Sequence, residues 1–276
     1  MPYKTILMHL NHDQRAHQLL DAGVQLAKEF GAHLIGLHVF PGYRLQPPMP
    51  VPFGREVLGN IAAQIREEGD RIKAAFDEAT GQQTFVSEWR SITPERVDPA
   101  TIVMDQGRAA DLIIASQSDP TWDLSSILDF PERLAIESGR PVLVIPNGWV
   151  TSAMPRTITV AWKNRREAAR AIFDALPLLN RALQVNLLTV EEPEQRGTAP
   201  ATDIAAALDR HGVKVSVSTI PESRTSAGEE INRRAADTSE LLVMGAYGHS
   251  RFREFAFGGV TRHLLQHMKV PVLFSH

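Results

Sequence analysis

Apolar residues along the chain follow two patterns. Short runs of Val, Ile and Leu, such as Leu112-Ile113-Ile114, alternate with longer stretches in which apolar positions recur every three or four residues. The first pattern predicts strands and the second amphipathic helices. In the first half it predicts strands at 5–10, 33–40, 84–92, 111–116 and 141–146, separated by helices at 13–30, 55–80, 98–107 and 130–138. In the second half strands are predicted near 157–162, 184–191, 213–220, 241–245 and 271–275. Strands that alternate with helices require crossover connections, which build parallel sheets covered on both faces.

The order of elements is the same in both halves. "KTILMHLNHDQRAHQLLDAG" from Lys4 and "RTITVAWKNRREAARAIFDA" from Arg156 each run a β-branched strand into a polar turn and an alanine-bearing helix. The ends match too, "ADLIIASQ" leading to "RPVLVIP" and "SELLVMGA" to "VPVLFSH". The chain therefore reads as α/β, two doubly wound domains with parallel sheets, at 1–148 and 154–276, joined by the linker 147–155. So short a linker implies halves that pack together. "VKVSVSTI" alternates apolar with polar and suits an edge strand, whereas "LLVMG" is apolar throughout and suits a central one. The terminal strands "RPVLVIP" and "VPVLFSH" are apolar and short, and offer edges for pairing. The stretch 41–54, with five prolines, cannot be helix and reads as an extended surface loop.

Composition narrows the function classes. With 276 residues, 43% hydrophobic and 22% charged, the chain has the make-up of a soluble globular protein, and a net charge of −3 gives no reason to expect nucleic acid or an anionic membrane as partner. The absence of cysteine excludes disulfides, thiolate metal sites and cysteine nucleophiles. Neither a signal peptide nor a membrane span is apparent, and a cytoplasmic protein is expected.

The richest local signal is "MGAYGHSRFREFAFGGV" at 244–260. In open parallel sheets ligands bind beyond the carboxyl ends of the strands, where the winding reverses. Gly245 closes the predicted central strand and would let a base or sugar touch the backbone, and Gly248 allows a second approach. Nine residues, His249 to Phe257, then lead to Gly258 and Gly259 at the start of a helix. There the first N–H groups lack intrahelical partners and carry the positive end of the helix dipole, so a phosphate can sit on them. Thr261 could add a hydroxyl, and Arg251, Arg253 and Arg262 could add charge. Neither G-x-x-x-x-G-K-[ST] nor G-x-G-x-x-G occurs. As turn residues and a helix cap, the same glycines would need no ligand.

Gly245-Ala246-Tyr247-Gly248, nine residues, then Gly258 resembles the G-x-x-G-x9-G-(S/T) nucleotide motif of the universal stress protein family. The resemblance implies a tandem protein with two five-stranded adenine nucleotide alpha hydrolase-like domains of strand order 3-2-1-4-5. It implies ATP or ADP, with magnesium, as cofactor: ribose and phosphates near Gly245, Gly248, His249, Arg251, Gly258, Gly259, Val260 and Thr261, and adenine against backbone around Ala161, Val190 and Met244. It also implies fifth strands that pair between domains, here as an internal pseudo-dimer, with a homodimer as a further level of assembly. Two positions depart from the pattern. Gly259 replaces the hydroxyl residue after the third glycine, and Lys163 replaces the acid that accepts from the adenine amine. A lysine cannot accept that bond, so Asn164 would have to take it over.

The first half departs further. "IIASQSDPTWD" places Ser116 and Asp119 where glycines would fall and Pro131 near the place of Thr261, and Asp119 would repel a phosphate. One competent site is expected, in the second half. His263 and His267, at i and i+4, lack a carboxylate to complete a metal set; His9 reads as a packed histidine and "REEGDR" at 66–71 as a solvated helix face. No catalytic group is assigned, because Glu254 in the loop has no evident partner for activating water. An adenine-nucleotide-binding regulator of the stress response, with an unknown protein partner, is the first expectation. An interaction module that has lost nucleotide binding and a slow ATPase are the alternatives.

Overall fold

The computed structural model describes residues 2–42, 55–150, 153–190, 201–221, 225–247 and 259–276. The first half runs β1 (Thr5–His9), α1 (Asp13–Phe30), β2 (His33–Val39), α2 (Arg55–Thr80), β3 (Ser87–Ile92), α3 (Pro99–Gly107), β4 (Leu112–Ser116), α4 (Ser125–Leu128), α5 (Pro131–Glu137) and β5 (Val142–Ile145). The second runs β6 (Thr157–Trp162), α6 (Arg166–Leu179), β7 (Gln184–Val190), α7 (Thr202–Arg210), β8 (Val215–Ile220), α8 (Ala227–Thr238), β9 (Leu241–Gly245), α9 (Gly259–His267) and β10 (Val272–Ser275). The short α4 has no counterpart among the periodic stretches of the sequence. The proline-rich stretch expected to be a loop falls almost wholly outside the described residues.

All ten strands lie in one sheet, in the order β3-β2-β1-β4-β5-β10-β9-β6-β7-β8. Each half contributes the order 3-2-1-4-5 in its own numbering, with parallel neighbours throughout. As expected from their patterns, β8 is an edge and β9 is central. The halves meet at an antiparallel pairing of β5 with β10, in which Val144 faces Val272, Leu143 faces Leu273 and Val142 faces Phe274. That register is symmetric about Leu143 and Leu273, so each half presents the same edge to the other.

Strands buried on both faces need apolar residues at successive positions; β5 supplies them throughout, and β4 and β10 do so up to a buried terminal serine. One core lies on the side of α1, α2, α6 and α7, with Met8, Leu19, Phe76, Ile172, Leu208 and Leu273. The other lies on the side of α3, α5, α8 and α9, with Val103, Leu134, Ile231, Leu264, Val144 and Phe274. Both cores run across the junction, so the two halves share them.

Polar contacts reinforce the junction. Ser275 Oγ donates to Asp174 at 2.6 Å, and the Tyr3 hydroxyl donates to the Asp174 carbonyl at 2.8 Å. Burial, and then the nearby Asp174 charge, raise the Tyr3 pKa. Gln117 Nε2 reaches the Leu265 carbonyl at 3.0 Å. The connection between the halves is itself docked. Gly148 N–H donates to Gln18 Oε1 at 2.9 Å, Asn147 N–H to Gln117 Oε1 at 3.2 Å, and Trp149 packs against both cores.

Candidate functional site

In the second half β9, β6 and β7 are neighbours in the sheet, and α6 and α9 follow β6 and β9 in the chain. Ala161 and Met244 are partners across β6 and β9, and Val190 ends β7. Ala161, Val190, Met244 and Val260 all belong to the apolar cluster on the α3, α5, α8 and α9 side of the sheet, a cluster that also extends through the first half. Lys163 and Asn164 form the turn that follows β6, closed by Arg165 N–H donating to the Lys163 carbonyl at 2.7 Å. Gly248, His249, Arg251 and Gly258 lie outside the described residues.

Gly245 has a packing role of its own. A Cβ there would come within 2.6 Å of the Ala168 nitrogen and of the Glu167 carbonyl carbon. The missing side chain therefore lets the first turn of α6 settle directly on the end of β9. Gly259 is different, because a Cβ at this first residue of α9 would meet nothing within 4 Å. Among the described residues nothing stands against the side-chain position of that first helical residue.

The Thr261 hydroxyl is already engaged. Its residue is 4% exposed, and its Oγ1 accepts from the Tyr247 N–H at 3.2 Å. Tyr247 sits at φ 50, a left-handed conformation that is uncommon outside glycine. Its ring extends across the junction, where the hydroxyl donates to Glu132 Oε1 on α5. Burial first, and the adjacent Glu132 second, push its pKa up.

Glu167 has no counterpart among the residues singled out from the sequence. It stands in the first turn of α6, where the dipole favours an acid, and is 7% exposed. Its Oε1 accepts from Arg166 Nε at 3.0 Å, while its Oε2 is buried without a hydrogen-bond partner. No side chain caps α6, whose N-cap is Arg165.

The corresponding region of the first half is filled by its own side chains. Arg15, 6% exposed, donates from Nη2 to Asp129 Oδ1 at 2.9 Å and from Nη1 to the Gln117 carbonyl at 3.0 Å. The Asp129 side chain has no exposed surface. It also accepts from Asn11 Nδ2 at 2.6 Å, Asp119 N–H at 2.9 Å and Ser125 Oγ at 3.0 Å. Trp122 lies under the Arg15 guanidinium at 4.8 Å. Asp119 turns back on its own loop, accepting from Thr121 N–H at 3.0 Å.

His9 is 2% exposed and stacks on Phe130 at 4.9 Å, the packed role expected of it. Burial lowers its pKa to about 3. The 66–71 stretch, expected to be a solvated face, contacts the start of α1 through two of its residues: Glu68 Oε1 accepts from the Asp13 N–H at 3.3 Å, and Arg71 pairs with the Asp13 carboxylate. His12, Asp13 and Glu68 thereby bring ligand atoms within 4.8 Å of one another. Their atoms are committed, however. His12 Nδ1 and Asp13 Oδ1 both accept from the Gln14 N–H, and Asp13 Oδ2 pairs with Arg71 at 2.9 Å. The trio caps α1 and ties it to α2. His263 and His267 stack on each other at 4.7 Å, and His267 Nδ1 bonds the His263 carbonyl at 3.0 Å.

Comparison with known proteins places these features in a family context. The sequence model of the universal stress protein family matches residues 154–276. Universal stress protein Slr1230 of Synechocystis is 30% identical over 146 residues, covering 51% of this chain and 49% of that protein. The chain thus spans about half the length of this curated relative. A universal stress protein from Archaeoglobus fulgidus has a similar structure, with a TM-score of 0.73 at 14% identity over 98% of this chain and 95% of that one. A functionally unknown protein from Pseudomonas aeruginosa aligns with a TM-score of 0.59 at 15% identity, over 99% and 92% of the two chains. At such identities the two likenesses establish the fold, and fold alone does not assign function.

Proposed function

We propose that this chain, which belongs to the universal stress protein family, is an adenine-nucleotide-binding regulator that holds ATP or ADP, with magnesium, in its second half. The observation that carries the reading is that, among the described residues, nothing lies within 4 Å of a Cβ placed on Gly259, the first residue of the helix that follows the central strand β9. A helix start with free N–H groups and no side chain in front of it is suited to a phosphate. The apolar group formed by Ala161, Val190 and Met244 is suited to a purine. The internal ion pair of Arg15 and Asp129 supports one ligand site per chain, because it fills the equivalent place in the first half. The regulator would act in the cytoplasm through a protein partner, and no helix among the described residues is long and apolar enough to cross a membrane.

Thermal melting with magnesium and ATP or ADP tests the reading. The wild-type protein should melt at a higher temperature with nucleotide, by mass action on the folded state. Gly259→Asp is the informative variant. An acid at a helix start is favourable to the helix, so the melting temperature without ligand should be unchanged or higher, while the nucleotide-dependent shift disappears. An unshifted wild-type protein at millimolar nucleotide would favour the second reading, an interaction module without a nucleotide. That reading draws on Lys163, which cannot accept from the adenine amine, and on the cover that α6 gives to Gly245.

A further inference from the structure

The strand register lets the two halves be matched residue by residue. Ile6 pairs with Leu112 across β1 and β4, and Ile158 pairs with Leu241 across β6 and β9. Counted on from Ile6 and Ile158 without a gap, Arg15 falls on Glu167, Ala16 on Ala168 and Leu26 on Leu178, and all six are buried. The hydrogen bonds repeat as well. Asp111 accepts from the Lys4 and Thr5 N–H groups at 2.6 and 2.9 Å, and Glu240 accepts from the Arg156 and Thr157 N–H groups at 2.5 and 3.2 Å. By the same count Tyr3 corresponds to Pro155, and Asp174 to Ala22.

One of these matched places is filled and the other is hollow. In the filled one Tyr3 is 4% exposed, its ring meets Phe30 edge-on at 5.2 Å, and its hydroxyl donates to the Asp174 carbonyl on α6 at 2.8 Å. In the other, the smaller Pro155 and Ala22 help to line a cavity of about 310 Å³. Leu26 of α1, Leu178 of α6 and Leu143 of β5 add apolar walls, and Trp149 of the connection between the halves lines it too. Val150 and Arg156, also among the lining residues, are exposed, so its rim reaches the surface. A dry cavity of roughly 150 Å³ holds one benzene ring, so this one has room for two fused rings.

The walls favour a neutral aromatic ligand. Trp149 offers an indole ring for stacked or edge contact with another ring. Among the described residues that line the cavity, Arg156 and Glu240 are the charged ones, one of each sign, and Glu240 is already engaged by two N–H groups. An ionised ligand would exchange water for mostly apolar walls, which is costly. The filled place shows what such surroundings accept: a phenol whose hydroxyl rests on a helix carbonyl. We propose that the cavity beside Pro155 is a binding site for a neutral aromatic compound of one or two rings with a phenol-type hydroxyl, which takes the place that Tyr3 fills in the other half and donates to the Ala22 carbonyl. Its leucine walls belong to the core on the side of α1 and α6, across the sheet from α9. The inference is therefore independent of the nucleotide reading, and either can fail without the other.

Calorimetric titration of 2-naphthol into the full-length protein tests it. Wild type should bind with a dissociation constant below about 1 mM, the scale set by a ligand of this size. Decahydro-2-naphthol, which keeps the hydroxyl and loses the aromatic rings, should bind at least about threefold more weakly. The 2-naphthoate anion should bind about tenfold more weakly. Pro155→Tyr, which builds the ring of Tyr3 into the second half, should abolish binding and leave the ligand-free melting temperature unchanged or higher, as cavity filling does. Ala22→Leu narrows the cavity from α1 and should weaken binding at least about tenfold through steric overlap, so it decides the matter if Pro155→Tyr does not fold. Absence of 2-naphthol binding by wild type at millimolar concentration overturns the proposal. Binding undiminished in the folded variants also overturns it, because the ligand then sits elsewhere. Equal or tighter binding of decahydro-2-naphthol overturns the aromatic assignment, and equal or tighter binding of 2-naphthoate overturns the neutral one.

Discussion

Arg15 and Glu167 occupy matched positions, so substitutions there should have opposite effects on the ligand-free protein. Arg15→Ala leaves the fully buried Asp129 carboxylate without its cation, a loss of about 3–5 kcal/mol for a broken buried pair. Denaturant unfolding should register it as a lower midpoint with an unchanged slope. Glu167→Leu removes a buried carboxylate of which one oxygen pairs with Arg166 and the other has no hydrogen bond, and its ligand-free melting temperature should rise. A fall would mean that Glu167 stabilises the fold. The buried histidines predict a pH dependence. Burial lowers the pKa of His9 to about 3, so His9 stays neutral in the folded chain above that pH, and burial lowers the pKa of His38 as well. Below the ordinary histidine pKa the unfolded chain takes up protons that the folded one refuses, so stability is lost as pH falls from about 6.5 toward 3. The slope is up to about 1.4 kcal/mol per pH unit for each group. Unfolding at pH 7 and pH 5.5 should show it, and His9→Gln should reduce it.

Among the elements, α9 is held close to α8 by a glycine. A Cβ on Gly228 would lie 3.2 Å from the Val260 Cα and from the His263 Cβ. Gly228→Leu should force the helices apart at a cost of about 1–3 kcal/mol, as overpacking does, and displace the start of α9. A nucleotide-dependent shift in melting temperature that survives this change would mean that the start of α9 is not where phosphate is held. The strands were legible because their apolar runs fall at places that any doubly wound sheet must bury, and Gly245 stood out because it ends such a run. The four-residue α4 was not, because hydrogen bonds to Asp129 and within its own loop hold it and no periodic apolar pattern does. Arg15 with Asp129, and Tyr247 with Glu132, are likewise contacts between residues more than a hundred positions apart. Glu167 was half visible. Aligning the repeats sets Glu167 opposite Arg15, but only burial shows that one has a partner and the other an idle oxygen.

At the scale of the whole molecule, the pairing of β5 with β10 makes one sheet and two shared cores from two halves of like strand order. The halves should therefore unfold together. A calorimetric scan is expected to give a single transition whose van't Hoff and calorimetric enthalpies agree. Leu273→Asp, at the centre of the junction and with no exposed surface, should split that transition or abolish folding. Two separate transitions in the unaltered chain would contradict the shared core. Because both partners of the seam belong to one polypeptide, its closure is first order. Dilution cannot open it, and the melting temperature should not vary with protein concentration. A two-chain assembly would come apart at low abundance. Here the half that carries the Arg15–Asp129 pair and the half that carries Gly259 are present at one to one in every molecule, however scarce the protein becomes.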